Sequence, residues 1–463
     1  MLLKKEKYDF LHPPRAAWLN LLRRLHFYIG LFIGPFIFIA ALTGTLYVAT
    51  PQLENWIYRE ALSGATSGEP LPLAQQIAVA EQQTGGKLRL SAVRPALTPG
   101  ETTRVMFADA SLGESESRAI FIDPVTLAVK GDMTVYGTSG ILPLRQWIDY
   151  MHRSLLAGDV GRVYSELAAS WMWVAALGGI ALWCLTRPKR RMKNAFQNTR
   201  RLHTGLGWAL LAGMLLFSAT GLTWSQWAGA NVDKMRAAFG WLTPQVNTQL
   251  HGGAQEHDPH AEHHMHHGTM DMPALHIDAR QYDQVLQAAR TAGIDARRLE
   301  IRPPREAGRA WTVTEIDRTW PTQVDAVAVD GATLQVIDIT RFADYPLMAK
   351  LTRWGVDFHM GILFGLPNQL LLIAFGIALC VAIGLGYRLW WLRRPQGPLV
   401  SPTATLSQGW LNLPVVWRVV TLAVVILLGL ALPVMGISLV IILLMDYWRW
   451  RQGRREPVVE KVR

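Results

Sequence analysis

Histidine is the residue type in this chain whose placement suggests chemistry. His26 and His203 each close an Arg-Leu-His run at the head of an apolar stretch of membrane-spanning length. A glycine follows each by four residues (Gly30, Gly207) and a Thr-Gly pair by seventeen (Thr43-Gly44, Thr220-Gly221). His152 and His359 form a second matched pair. Each has a tryptophan five residues before it (Trp147, Trp354), a glycine six after it (Gly158, Gly365) and an aspartate twenty-nine before it (Asp123, Asp330). A histidine at a membrane boundary is costly unless its ring nitrogens find partners. Two neutral imidazoles on facing helices can fill both axial positions of a haem iron, and helix bundles are where such sites are built. The four are therefore read as ligands of two b-type haems. With both axial positions filled, electron transfer is favoured over oxygen chemistry. Gly30 and Gly207, one turn after their histidines, would clear room for a flat macrocycle; tight helix packing also explains them. Arg23, Arg24, Arg200 and Arg201, with Arg153 and Arg353, are candidates for pairing with haem propionates.

A proton relay, a transition-metal pathway or plain structural roles are the other readings of these histidines. The first two call for intramembrane carboxylates, and the interiors of the first four spans are read as free of them, with Asp446 in the last run as the exception.

The second cluster is compositional. His257, His260, His263, His264, His266 and His267 follow His251, with Met265, Met270 and Met272, in a Gly/Pro-broken insert at 251–272. Histidine with methionine suits copper first, then zinc or nickel. A solvated low-complexity insert is the other reading.

The elements that position these residues follow from hydropathy and charge. The chain has 463 residues, half of them hydrophobic, too long for one domain and too apolar for a soluble one. Apolar runs that span a ~30 Å hydrocarbon core lie at 27–49, 166–186, 206–228 and 366–392, with a continuous run at 415–448. That last run is read as a hairpin broken near Pro433 and Gly436, with a single span as the alternative. The segments 1–26, 187–203, 388–418 and 449–463 hold 23 of the 46 Lys and Arg but only 4 of the 35 Asp and Glu. By the positive-inside rule these flanks, both termini included, are cytoplasmic. Charge that hugs helix ends argues against nucleic-acid binding. Residues 50–150 and 229–358 then lie outside the cytoplasm. His26 and His203 then share one face of the membrane, and His152 and His359 the other. The first span is taken as uncleaved. Cys184 and Cys380 fall within spans, so the outer segments rely on their own cores.

Each outer segment reads as a small α+β domain. Residues 71–86 carry helical apolar spacing and a Gly-Gly stop, then short strands at 88–93, 104–108 and 119–122, and a turn at Asp123-Pro124-Val125-Thr126 leading to 127–129. The second segment gives a helix near 279–292, strands near 298–302, 310–316 and 324–329, and Asp330-Gly331-Ala332-Thr333. The histidine pairs are offset by 177 and 207 residues. This points to an internal duplication in which copy two carries the insert. The expected fold class is thus an α-helical integral membrane bundle, four core helices plus a C-terminal hairpin, with two α+β domains outside the cytoplasm.

The repeated pattern RRLHxxxG, ATG, an outer domain with FIDPxT, and W-x4-H before a helix resembles the PepSY-associated transmembrane proteins over about residues 15–395. The resemblance extends to inner-membrane siderophore reductases of Gram-negative bacteria that carry two haems in the bundle. It implies that both α+β domains are periplasmic, that His26 and His203 hold a cytoplasmic-side haem, and that His152 and His359 hold a periplasmic-side one. It also implies one-electron reduction of a periplasmic ferric siderophore or related metal chelate by an unidentified cytoplasmic or quinol donor. Copy two departs from the pattern at Asp330-Gly331 and in the His-rich insert. No glycine-rich nucleotide loop occurs in the basic flanks. A non-enzymatic membrane protein that binds or senses copper, siderophore or peptide is the alternative.

Overall fold

The computed structural model describes residues 15–186, 194–250, 277–394 and 405–455. From the N-terminus these form helix α1 (Arg15–Val48), α2 (Thr50–Ile57), α3 (Leu73–Gln83), strands β1 (Arg89–Arg94), β2 (Thr103–Ala108), β3 (Glu116–Ile122) and β4 (Val129–Tyr136), and helices α4 (Pro143–Ser154) and α5 (Gly158–Leu185). Next come α6 (Ala195–Thr223), α7 (Trp227–Ala238), α8 (Arg280–Thr291), β5 (Leu299–Arg302), β6 (Trp311–Glu315), β7 (Ala326–Val329) and β8 (Val336–Thr340). The chain ends with α9 (Leu347–His359), α10 (Leu366–Arg393), α11 (Leu406–Leu411), α12 (Val415–Ala431) and α13 (Pro433–Arg455). Two compact units result: Met1–Leu46 with Tyr150–Met235 and Leu371–Arg463, and Tyr47–Asp149 with Arg236–Leu370.

The first unit is helical. Among the described residues, Arg15–Val48, Gly158–Leu185, Ala195–Thr223, Leu366–Arg393 and Pro433–Gln452 are long and apolar enough to cross a membrane, and Val415–Ala431 is a shorter apolar helix. This is a membrane protein. The helices bury Ile33, Ile37, Trp171, Leu210, Met214, Leu379 and Leu439 against one another. Their outward faces stay apolar, with Leu427, Leu430 and Leu444 more than 60% exposed, as a lipid-facing surface requires. The C-terminal apolar run breaks at Leu432, immediately before Pro433. Gly429 and Gly436 then approach so closely that a Cβ on Gly436 would lie 2.8 Å from the Gly429 Cα.

Among the described residues, two carboxylates, Glu166 and Asp446, are buried inside this unit. Glu166, at the edge of the predicted second span, lies two turns into α5 because that helix starts at Gly158. It is fully buried and accepts the amides of Trp227 (3.0 Å) and Ala228 (3.2 Å), capping the start of α7. The expected carboxylate-free interior is therefore corrected: Glu166 is there, satisfied by the orphan amides of a helix N-terminus. Asp446 is buried too and accepts from Tyr28 Oη (2.7 Å), the Leu406 amide (2.9 Å) and the Ser407 amide (2.7 Å), which ties α13 to α1 and α11.

The second unit is a single eight-stranded antiparallel sheet in the order β4-β3-β2-β1-β5-β6-β7-β8. The two outer segments, expected as separate domains, thus share one sheet. β1 and β5 join at Val93 and Ile301. Each half is a helix followed by a four-stranded meander, and α3 and α8 pack over one common core that includes Ile77, Val105, Phe107, Tyr282, Val313 and Val327. Alternate residues of β2 and β3, Met106, Ala119 and Phe121, face the opposite core, as a period of two demands of a sheet covered on both faces. Asp283 of α8 accepts the Leu73 and Ala74 amides at 2.8 and 3.1 Å, so one half caps the helix of the other. The repeated aspartates are turn formers. Asp123 Oδ1 accepts the Val125 and Thr126 amides at 3.0 and 3.2 Å, and Asp330 Oδ1 the Ala332 amide at 2.9 Å.

The sheet junction is closed by an ion triad around the buried Glu300. Arg94 of β1 meets Glu300 of β5 at 2.7 Å, and Arg302 meets the other oxygen at 2.5 Å. Burial raises the Glu300 carboxyl, but Arg302 and Arg94 overcome this and hold it at about 2, against the usual 4.5. Glu300→Ala should leave the buried Arg94 without its counter-charge, with a stability loss of about 3 kcal/mol at neutral pH. A depressed carboxyl stabilises the fold above its unfolded value, so the wild-type contribution is complete above about pH 4.5 and declines as pH falls toward 2. Thermal unfolding in detergent at pH 7 and pH 3 tests this: the gap between wild type and variant should narrow at the lower pH.

Candidate functional site

His26 and His203 come together in the helical unit. His26 lies on α1, just before a π-helical turn at Ile29–Ile33. His203 lies on α6, whose start is capped by Asn194 Oδ1 accepting the Gln197 amide at 2.8 Å. The ring centroids are 6.4 Å apart, at an interplanar angle of 68°. His203 Nδ1 lies 2.8 Å from the Ala382 carbonyl of α10. A carbonyl only accepts, so Nδ1 carries the proton and Nε2 keeps its lone pair. The Ala175 carbonyl faces His26, but His26 Nδ1 is buried without a hydrogen bond.

Glycines on other helices make room for these rings. A Cβ on Gly179 of α5 would stand 3.2 Å from His26 Cε1, and one on Gly386 of α10 would stand 3.6 Å from His203 Cε1. Sequence reasoning singled out Gly30 and Gly207 instead. A Cβ at either would meet no heavy atom within 4 Å, so they crowd no ring and leave the helix face beside each histidine open.

His152 lies near the end of α4 and packs on α1 through the repeated Thr-Gly pair. Thr43 Oγ1 donates to the Ile39 carbonyl at 2.8 Å and sits 3.0 Å from His152 Nδ1. With its proton committed, the Thr43 oxygen accepts, which again places the ring proton on Nδ1. A Cβ on Gly44 would meet His152 Cε1 at 3.1 Å. Gly158, six residues on, has a φ of +58°, and Gly365 in the other half has +59°. Each stands at the start of the next long helix in a conformation that glycine adopts without a Cβ penalty. His359 is the last residue of α9 and belongs to the sheet-bearing unit.

Among the arginines, Arg200 donates to Thr186 Oγ1 at 2.8 Å, Arg353 pairs with Asp357 at 3.4 Å, and Arg153 lies over the Tyr150 ring at 5.4 Å. His257, His260, His263, His264, His266 and His267 lie outside the described residues.

What the histidine pair could hold follows from counting donors. Among the described residues no three His, Cys, Asp or Glu converge as a metal site. A porphyrin brings its own four equatorial nitrogens and needs only two axial ligands from the protein. Two imidazoles holding one metal between them would stand about 6 Å apart between ring centres, with metal–imidazole bonds of roughly 2 Å and each ring centre about 1 Å behind its nitrogen. The His26–His203 separation fits, as do the free Nε2 of His203 and the unpartnered Nδ1 of His26. Thr43, Gly179, Gly386 and the Ala382 carbonyl were not assigned as partners from sequence. Only the Thr43-Gly44 repetition signalled that something was held there.

No curated protein matches this chain. The family described as the PepSY-associated TM region matches residues 23–393, from just before His26 to the end of α10. This chain belongs to the PepSY-associated transmembrane family.

Proposed function

We propose that this protein is a haem-bearing electron carrier of a bacterial inner membrane. In this reading it takes single electrons from a cytoplasmic or quinol donor and reduces a ferric siderophore or related metal chelate on the periplasmic side. The observation that carries it is the His26–His203 pair: two imidazoles from different helices, 6.4 Å apart, with His203 fixed by the Ala382 carbonyl in the tautomer that leaves Nε2 free. Bound between them, a haem would supply reversible one-electron chemistry with no open site for oxygen. The residues of the chain orient the rings, fix their protons and exclude water. His152 and His359 are proposed as ligands of a second haem, from their repeated sequence setting and from the Thr43 contact that fixes the His152 ring. The matched helix-and-meander halves support an origin by internal duplication.

The His-rich segment 251–272 is proposed as a copper or zinc site. Neutral imidazole is the ligand form, so binding should weaken below about pH 6.5. Deleting 251–272 should abolish high-occupancy Cu(II) binding in calorimetry, and unchanged binding would refute the assignment. The electron-transfer reading is tested in sealed vesicles with an internal reductant and an external ferric chelate. Ferrous iron should be trapped outside only when the vesicles contain the haem-loaded protein, and equal trapping with empty vesicles would contradict it.

A further inference from the structure

The helix pair that positions His152 also holds an arginine whose hydrogen-bonding edge is unused. On α1, Thr43 meets His152; one turn later, the Tyr47 ring meets Arg145, with the guanidinium carbon 4.4 Å from the ring centroid. Arg145 stands seven residues before His152 on α4, two turns along the same face. It is 8% exposed and Tyr47 is 7% exposed. Arg145 Nε and Nη2 are buried without a hydrogen-bond acceptor.

A buried cation without an acceptor is costly. Glu54 of α2 attracts Arg145, yet its Oε1 accepts the Leu142 amide at 3.1 Å, so it caps the start of α4 and makes no hydrogen bond to the guanidinium. Burial pushes the Glu54 carboxyl up, against the pull of Arg145. A second guanidinium, Arg318, lies within electrostatic reach of the Tyr47 hydroxyl. Its own Nε donates to Asp357 Oδ1 at 2.6 Å, and its Nη1 to Ser139 Oγ at 2.6 Å, so its fork is filled. The same fork on Arg145 is open.

We propose that Arg145 seats a carboxylate of a bound small molecule. Nε and Nη2 form the side edge of a guanidinium, whose two parallel N–H groups match the two oxygens of a carboxylate. The Tyr47 ring stacks on the guanidinium and fixes the plane of that edge. The carboxylate comes either from a haem propionate or from a soluble chelator that bears carboxylates. The first source rests on the electron-transfer reading above; the second does not.

The test uses the full chain in detergent with two variants, Arg145→Gln and Arg145→Lys. Lysine keeps the charge but removes the two-pronged edge, so it decides the matter where the glutamine variant folds poorly. One arm measures haem loss to excess apomyoglobin, and the other measures citrate binding by titration calorimetry. We expect about a tenfold or larger effect in one arm for both variants, the scale of a charged hydrogen-bonded pair. Faster haem loss alone identifies the propionate, and weaker citrate binding alone identifies the soluble ligand. Values within twofold of wild type in both arms overturn the proposal, as does a wild-type chain that holds no haem and binds no citrate. A haem-free wild-type chain that loses citrate binding in both variants overturns the electron-transfer reading and leaves the carboxylate seat standing.

Discussion

His203→Ala is expected to remove one haem of two per chain and to leave the other spectroscopically intact. If His203 and His26, 6.4 Å apart, hold one haem between them, alanine deletes one of its two ligands and His26 alone would not retain it. The surrounding packing survives, because His203 is half-buried and its ring is tied to the Ala382 carbonyl. Pyridine haemochrome quantitation on wild type and variant gives the stoichiometry, and low-temperature difference spectra show which haem remains. Loss of both haems together would mean that the four histidines form one interdependent site. Retention of both would remove His203 from the ligand set.

The second large effect is expected at a residue that touches no cofactor in this account. Thr43→Val keeps the shape of the side chain and removes the oxygen 3.0 Å from His152 Nδ1. The ring then loses one of its acceptors and keeps the Ala40 carbonyl as the other. Losing such an outer partner typically costs 10–100-fold in metal affinity, and about that loss is expected for the haem assigned to His152. The His26–His203 haem should stay unchanged, because His203 takes its partner from Ala382. Thr43→Ser, which restores the oxygen, should recover most of the affinity. Equal haem retention in Thr43→Val and wild type would show that the Thr43 contact does not steer the ring.

Local patterns carried much of this protein into view from sequence. Apolar length marked the long helices, and period-two alternation marked β2 and β3. The repeated Asp123 and Asp330 marked turns because an aspartate side chain bonds its own backbone two residues on. What stayed hidden depends on partners far apart in the chain. The strand pair Val93–Ile301 joins segments about two hundred residues apart, and one pairing in the middle of a sheet leaves no local signature. Gly179 and Gly386 approach histidines of other helices, so the glycines one turn from each histidine drew attention first. Glu166 was hidden for the same reason: its partners, the Trp227 and Ala228 amides, belong to a helix sixty residues later. Arg145 carries no sequence signal, because its unpartnered edge shows only in space.

The central claim is that paired histidines hold haem in the bundle. The measurement that meets it most directly is the pyridine haemochrome assay on the purified full-length protein, expressed with adequate haem supply. About two b-type haems per chain are expected, with a reduced spectrum unchanged by carbon monoxide if two histidines hold each iron. A protein that purifies with no haem under those conditions contradicts it.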